Sequence, residues 1–180
     1  MLNDICSVND FNVTCLRYFN AAGAHESGEI GEAHYPETHL IPNVLKSLLS
    51  NKSSFKVFGD DYPTPDGTCV RDYVHVTDLA RAHLLGLEYM QNNKGFSAFN
   101  LGNGEGFSVL EVINSCERVT DTKIPFQIDR RREGDPAVLV SENELAVKTL
   151  NWNIKYNDIN NIIESAWFWH NRKNVSTRDA

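Results

Sequence analysis

Gly67-Thr68-Cys69-Val70-Arg71-Asp72-Tyr73-Val74-His75-Val76-Thr77-Asp78-Leu79-Ala80 is the stretch on which the reading of this chain turns. Pro63, Pro65 and Asp66 stand just before Gly67, a concentration of turn formers that marks a change of direction. Cys69 to Val76 then reads as a strand. Thr77 is placed to cap a helix, with Asp78 in the first turn where the helix dipole favours an anion. Leu79, Ala82, His83, Gly86, Leu87 and Met90 follow at helical spacing and predict its apolar face. Arg71 is thereby held at a loop–strand junction. Its planar guanidinium suits a phosphate, because two donors point the same way; an ion pair with the adjacent Asp72 is the competing structural role.

Working outward, residues 2–8 read as the tail of a helix that Asn9-Asp10 breaks, and Phe11 to Phe19 reads as a strand rich in Val, Thr, Tyr and Phe. A Gly-, Glu- and His-rich loop runs on through Pro36. Thr38 to Ser50 predicts a helix with Leu40, Ile41, Val44, Leu45, Leu48 and Leu49 on one face and Pro42 in its first turn. Phe55 to Gly59 and Phe96 to Leu101 read as strands. Ser108 and Glu111 form a capping box ahead of a helix whose face carries Val109, Val112, Ile113, Cys116 and Val119. Ile124 to Ile128 alternates as a strand, with Pro125 favouring an edge. Ser141 with Glu144 caps the next helix, and a last helix from about Asn157 buries Ile159, Ile162, Ile163, Ala166 and Trp167. Trp152, Trp167 and Trp169 read as core or rim aromatics. Strands alternating with helices give an α/β class.

The chain has 180 residues, 41% hydrophobic and 23% charged, an ordinary globular balance able to bury a core. A formal net charge of −7 provides no field for nucleic acid, so anion binding has to come from local clusters such as Arg130-Arg131-Arg132. Cys6, Cys15, Cys69 and Cys116 contain no Cys-x-x-Cys pair, which argues against a zinc ribbon or a disulfide framework and fits reduced thiols in the cytoplasm. No run approaches the ~18 apolar residues needed to span a bilayer, so no membrane partner is expected.

Two stretches raise assignments that their spacing argues against. Glu32, His34, Glu37 and His39 lie close together, but they match no established metal-ligand spacing, and no metal is expected. Gly102-Asn103-Gly104-Glu105-Gly106 follows a strand, yet Phe107 stands where a dinucleotide fingerprint needs its third glycine, and Glu105 would face a pyrophosphate.

Leu16-Arg17-Tyr18-Phe19-Asn20, Gly23-Ala24-His25, Phe58-Gly59, Gly67 to Val76, Asn100-Leu101-Gly102 and Arg131-Arg132-Glu133-Gly134-Asp135 together resemble the UDP-glucose 4-epimerase family of extended short-chain dehydrogenases/reductases. The motifs occur in the family's order over nearly the whole chain, and only the tail after about His170 carries none. The resemblance implies the C-terminal half of that fold, the last strands and helices of a Rossmann-like domain plus a smaller α/β substrate domain. Residues 1–36 and 70–107 would belong to the NAD-binding part, and 37–69 and 108–180 to the UDP-sugar-binding part. It also implies a truncated or split chain.

By the same resemblance Asn20 sits between cofactor and phosphate, and His39 and Leu40 line the UDP-sugar pocket at the start of a helix. The Lys56 backbone and the Phe58 ring meet the uracil, and Arg71 and Tyr73 are nucleotide contacts. Arg132 binds the diphosphate, Asp135 a ribose hydroxyl, and Leu139 occupies the position that gates the sugar C2 substituent. Tyr18 and Phe19 lie beside the nicotinamide. Phe58, Tyr18, Phe19 and Leu139 are equally readable as core residues. The family interconverts UDP-glucose and UDP-galactose through a 4-keto sugar with NAD, using a Gly-rich loop and a Tyr-x-x-x-Lys pair. Neither occurs here: Tyr18, Tyr35, Tyr62, Tyr73, Tyr89 and Tyr156 are followed four residues later by Ala, His, Asp, Thr, Asn and Asn. No catalytic residue is therefore assigned. A noncatalytic nucleotide-sugar module, a ligand-free remnant, and a UDP-xylose/arabinose epimerase are the alternatives. A separate N-terminal half or a second copy are the implied protein partners.

Overall fold

The computed structural model describes residues 1–49 and 55–176. The chain runs through α1 (Leu2–Val8), β1 (Asn12–Tyr18), β2 (Asn20–Ala22), α2 (Leu40–Leu49), β3 (Phe55–Phe58), β4 (Val70–His75) and α3 (Val76–Asn92). It continues through β5 (Gly95–Leu101), β6 (Gly106–Ser108), α4 (Val109–Thr120), β7 (Phe126–Asp129), β8 (Val138–Leu139), α5 (Glu144–Leu150) and α6 (Ile159–Ser176). This is the expected α/β class. Ser50, the expected end of the second helix, lies outside the described residues.

β4 is the strand on which the others converge. It lies parallel to β2, from Asn20↔Tyr73 to Ala22↔His75, antiparallel to β6, and parallel to β8 with Arg71 opposite Leu139. β1 pairs in parallel with β5 from Asn12↔Gly95 to Tyr18↔Leu101, and β3 pairs in parallel with β7. α3 connects β4, paired with β2, to β5, paired with β1. Between β1 and β2 the Phe19 amide donates to the Leu101 carbonyl at 3.0 Å, so the chain keeps its hold on β5 as it changes sheets.

The helical periodicities resolve into two cores. In one, Ile41, Val44 and Leu45 of α2, Val112, Ile113 and Cys116 of α4, and Ile159, Ile162, Ile163 and Ala166 of α6 close over Ala22 and Tyr73. In the other, Val74, Leu79 and Ala82 meet Phe99 and Leu101 of β5 with Ala146, Leu150 and Trp152. Each fully buried aliphatic side chain contributes ~1.5–3 kcal/mol by leaving water. Trp152, the bulkiest fully buried residue, also donates its Nε1–H to the Asp78 carbonyl at 2.9 Å, which locks the second core to the start of α3.

Several local expectations need correction. The cap of α3 is His75, whose Nδ1 accepts the Thr77 amide at 3.1 Å, two positions before the hydroxyl expected to cap. His83 and Leu87 face solvent; the core-facing side of α3 carries Leu79, Ala82 and Gly86, with Leu85 and Tyr89 partly buried beside them. Asn143 precedes α5 without a side-chain capping bond; Ser141 is buried instead, its amide committed to Asp72. The capping box of Ser108 and Glu111 is present as expected. Gly67 has φ of 80°, and a side chain there would run into the Asp60 carbonyl, so the turn into β4 requires glycine.

Candidate functional site

A cavity of about 890 Å³ lies where the start of α2, β3 and β4 meet the segment after β7. Asn20, His39, Leu40, Lys56, Phe58, Arg71, Tyr73, Arg132 and Asp135 all line it, although they are scattered over more than a hundred positions in sequence. Leu139 is not among the lining residues: it stands on β8 opposite Arg71, 46% exposed. The size suits a nucleotide-scale ligand.

Arg71 owes its placement to β4 and to a partner the sequence did not indicate. Its Nη2 donates to Asp135 Oδ1 at 2.8 Å and its Nη1 to the Val70 carbonyl at 2.7 Å, two of the five donors a guanidinium carries. Asp72, the partner expected from adjacency, points elsewhere. Its carboxylate is wholly buried and accepts the backbone amides of Asn103 at 2.7 Å, Gly104 at 3.1 Å and Ser141 at 3.0 Å. Successive residues on a strand face opposite ways, so Arg71 and Asp72 serve different surroundings. A side chain at Gly102 would collide with this carboxylate and with Ser141, so glycine is required for the close approach. Through its Asn103 and Gly104 amides the Gly102–Gly106 loop thus binds an anion belonging to the protein itself.

Around the cavity, Arg132 lies over the Phe58 ring at 4.2 Å and Arg131 over the Tyr62 ring at 4.1 Å, while Arg131 also bonds Asp61. Cation–π contact fixes each guanidinium without consuming all its donors. Lys56 Nζ is paired with Asp129 at 2.8 Å across the β3–β7 pair. The Asn20 side chain donates to the Asp72 carbonyl at 2.7 Å, which joins β2 to β4 beside the cavity. Tyr73 is buried, and that burial pushes its phenol far above the ordinary range, so it is no acid–base group at neutral pH. The first turn of α2 supplies Leu40, Ile41 and Asn43 to the wall, and backbone donors at a helix start favour phosphate.

A second cavity, of about 1160 Å³, is bordered by Tyr18, Phe19 and Asn20 and shares Asn20 and His39 with the first. Tyr18 is 52% exposed and tilted against the His83 ring at 5.9 Å, so its expected role as core does not hold. Nearby, His75 and Ser165 look like a nucleophile and its base, with Nε2 and Oγ 3.0 Å apart. The bonding excludes that role. His75 Nδ1 accepts the Thr77 amide, so Nε2 carries the proton and donates, and Ser165 Oγ gives its own proton to the Ile162 carbonyl. Burial lowers the His75 pKa and keeps it neutral.

Sequence reasoning missed Glu37, Asn43 and Lys46 as cavity-lining residues. Burial works to raise the Glu37 carboxyl, but hydrogen bonds from Lys46 and the His39 amide, with the lysine charge, hold it below the ordinary range. The only signal in the sequence was the nine-residue reach from Glu37 to Lys46, too long to read as a helical pair. The structure also draws Glu32, His34, Glu37 and His39 together, with one ligand atom from each within 4.8 Å of the others.

The model of the NAD-dependent epimerase/dehydratase family matches residues 1–102, more than half the chain. The chain belongs to the NAD-dependent epimerase/dehydratase family. Within this epimerase/dehydratase family it is 53% identical over 156 residues to the UDP-glucose 4-epimerase of Halalkalibacterium halodurans, a match covering 87% of this chain and 47% of that protein. Its fold superposes with a TM-score of 0.91 and 39% identity on the UDP-glucose 4-epimerase of Stenotrophomonas maltophila, solved with NAD and formylated UDP-arabinopyranose, over 99% of this chain and 53% of that one. The Bifidobacterium longum UDP-glucose 4-epimerase, solved with NAD+ and UDP, matches with a TM-score of 0.88 and 38% identity, over 94% of this chain and 50% of that one. The chain spans about half the length of the curated relatives it matches. Among the described residues, no helix of this epimerase/dehydratase chain is long and apolar enough to cross a membrane. All four cysteines are free, and burial pushes the Cys116 thiol up to about 12.

Proposed function

We propose that this chain provides the UDP-sugar-binding part of a UDP-glucose 4-epimerase, which interconverts UDP-glucose and UDP-galactose. The observation that carries the proposal is the convergence of nine residues, chosen from the sequence as nucleotide contacts, on one cavity wall. Phe58 offers a ring face to the uracil and the β3 backbone at Lys56 its edge contacts. Arg71 and Arg132, with the start of α2, answer the diphosphate, and Asp135 the ribose. A charge-assisted bond to phosphate is about twice as strong as a neutral one, so affinity concentrates at the nucleotide and leaves the sugar loosely held. That division suits a reaction in which the sugar must present both faces.

Residues 1–36 and 70–107 would form this chain's share of the NAD-binding part, and 37–69 and 108–180 the UDP-sugar part. The second cavity fits NAD at one end only. Tyr18, Phe19 and Asn20 border a space wide enough for the nicotinamide, whereas the Asn103 and Gly104 amides of the Gly102–Gly106 loop are already taken by Asp72. NAD, when bound, would supply the hydride acceptor and donor at sugar C4. No residue of this sequence is assigned as the base for that step, since it has no Tyr-x-x-x-Lys. The same absence favours a second reading, a noncatalytic nucleotide-sugar-binding module.

The test supplies the first half of a related epimerase and follows conversion of UDP-galactose to UDP-glucose. Turnover is expected with both parts present and not with this chain alone, which should also fail to retain NAD. A folded, associated pair without turnover would leave the binding-module reading in its place.

A further inference from the structure

We propose that Glu32, His34, Glu37 and His39 form a binding site for a divalent transition-metal ion of the zinc class, at the rim shared by the two cavities. His39 Nδ1 lies 2.7 Å from Glu32 Oε1 and 3.1 Å from Glu37 Oε1, and His34 Nδ1 is 3.9 Å from the same Glu37 oxygen. All four ligand atoms fall within 4.8 Å of one another. Tetrahedral zinc holds nitrogen and oxygen ligands at about 2.0–2.2 Å, which puts neighbouring ligand atoms roughly 3.3–3.6 Å apart. The observed separations bracket that value, so small rotations of the two half-exposed histidines complete the geometry. An imidazole N–H satisfies one carboxylate; here one Nδ1 faces two, an arrangement that a dication answers better than a single proton.

The surroundings hold the ligands in place from behind. Lys46 Nζ sits on Glu37 Oε2 at 2.6 Å and leaves Oε1 facing the imidazoles, while the Thr38 and His39 amides steady Oε1 at 3.0 and 3.1 Å. Trp169 Nε1–H donates to the Glu32 carbonyl at 2.9 Å and ties that end of the loop to α6. Metal-ligating groups are usually oriented by such outer contacts. Two imidazoles and two carboxylates form an N₂O₂ set suited to Zn²⁺ rather than to Mg²⁺ or Ca²⁺, which prefer oxygen alone. With two carboxylates and one lysine, the cluster keeps a net negative charge toward an incoming cation. Metal binding would tie 32–39 to the beginning of α2 and fix the rim between the cavities. The site does not depend on the nucleotide-sugar reading.

Equilibrium dialysis of the tag-free chain against ZnCl₂, with bound zinc measured by mass spectrometry, tests the site. One equivalent is expected. His34→Ala and Glu32→Gln should each weaken binding at least about tenfold, as loss of a ligand or its support does, and His34→Ala/His39→Ala should abolish it. His83→Ala, on α3 away from the cluster, should bind as the parent does. Co²⁺ should give visible d–d bands without the near-ultraviolet charge-transfer band of a thiolate. Because His34 is half exposed on a loop, its variant keeps the fold, which circular dichroism checks. Absence of stoichiometric zinc, unchanged affinity in the double-histidine variant, or a thiolate band would each overturn the proposal.

Discussion

Asp72→Ala should cost this chain much of its stability while removing no side-chain contact to the cavity wall. Three backbone amides depend on the lost carboxylate, those of Asn103, Gly104 and Ser141. Gly104 is exposed, so water can replace the bond to its amide, but Asn103 and Ser141 are buried at 9% and 5% exposure. A buried donor left without an acceptor costs ~1–3 kcal/mol, so the two buried amides set a loss of ~2–6 kcal/mol. That is a large fraction of the ~5–15 kcal/mol by which domains are stable. Asp72→Asn keeps one acceptor oxygen and should lose less. Urea unfolding followed by tryptophan fluorescence reads both, with the midpoint falling and the slope unchanged. A loss below ~1 kcal/mol for the alanine variant would mean that the Gly102–Gly106 loop is held by something else, and the account of the β4 surroundings would fail.

Two further outcomes are expected. Because Leu139 lines neither cavity, Leu139→Ser in the chain joined to a complementary half should leave the preference between UDP-galactose and UDP-N-acetylgalactosamine unchanged; competitive turnover measures it, and a gain of ~1–3 kcal/mol on the acetylated sugar would restore Leu139 as the gate. Burial holds the His75 pKa below its ordinary value, so between that depressed pKa and about 6.5 the unfolded chain binds more protons than the folded one. Stability should therefore be full above about pH 6.5 and fall as pH drops through that window. His75→Asn, which keeps a capping side chain, should flatten that limb in urea midpoints taken from pH 7.5 to 5, and an unchanged slope would contradict the assignment.

Long-period features were legible before the structure. The stripes of Ile41, Val44 and Leu45 and of Ile159, Ile162 and Ile163 announced α2 and α6 because burial repeats every three or four residues. The strands β2, β6 and β8 were not, since two or three residues hold no period to read. The polar partners were hidden for a different reason. Asp72 bonds residues 31, 32 and 69 positions away and Arg71 pairs with Asp135 64 positions away, so adjacency suggested the wrong pair. The cavity contacts were readable only through the resemblance, which supplied the long-range information that spacing lacks. Leu139, which only the resemblance marks as a gate, stands half exposed on β8 and off the wall of the first cavity. Glu32, His34, Glu37 and His39 stand close in sequence but at no helical or ribbon spacing, so the expectation of no metal rested on spacing alone, and it is an irregular loop that brings the four together.

Isothermal titration of the folded chain with UDP tests the central claim most directly. The account predicts a single site, weakened ~2–5 kcal/mol by Arg71→Ala and by Arg132→Ala, the cost of removing a charged partner from a paired contact. Arg130→Ala, outside the cavity lining, should bind UDP as the parent does. No heat from a folded sample, or equal losses from all three arginine variants, would contradict it.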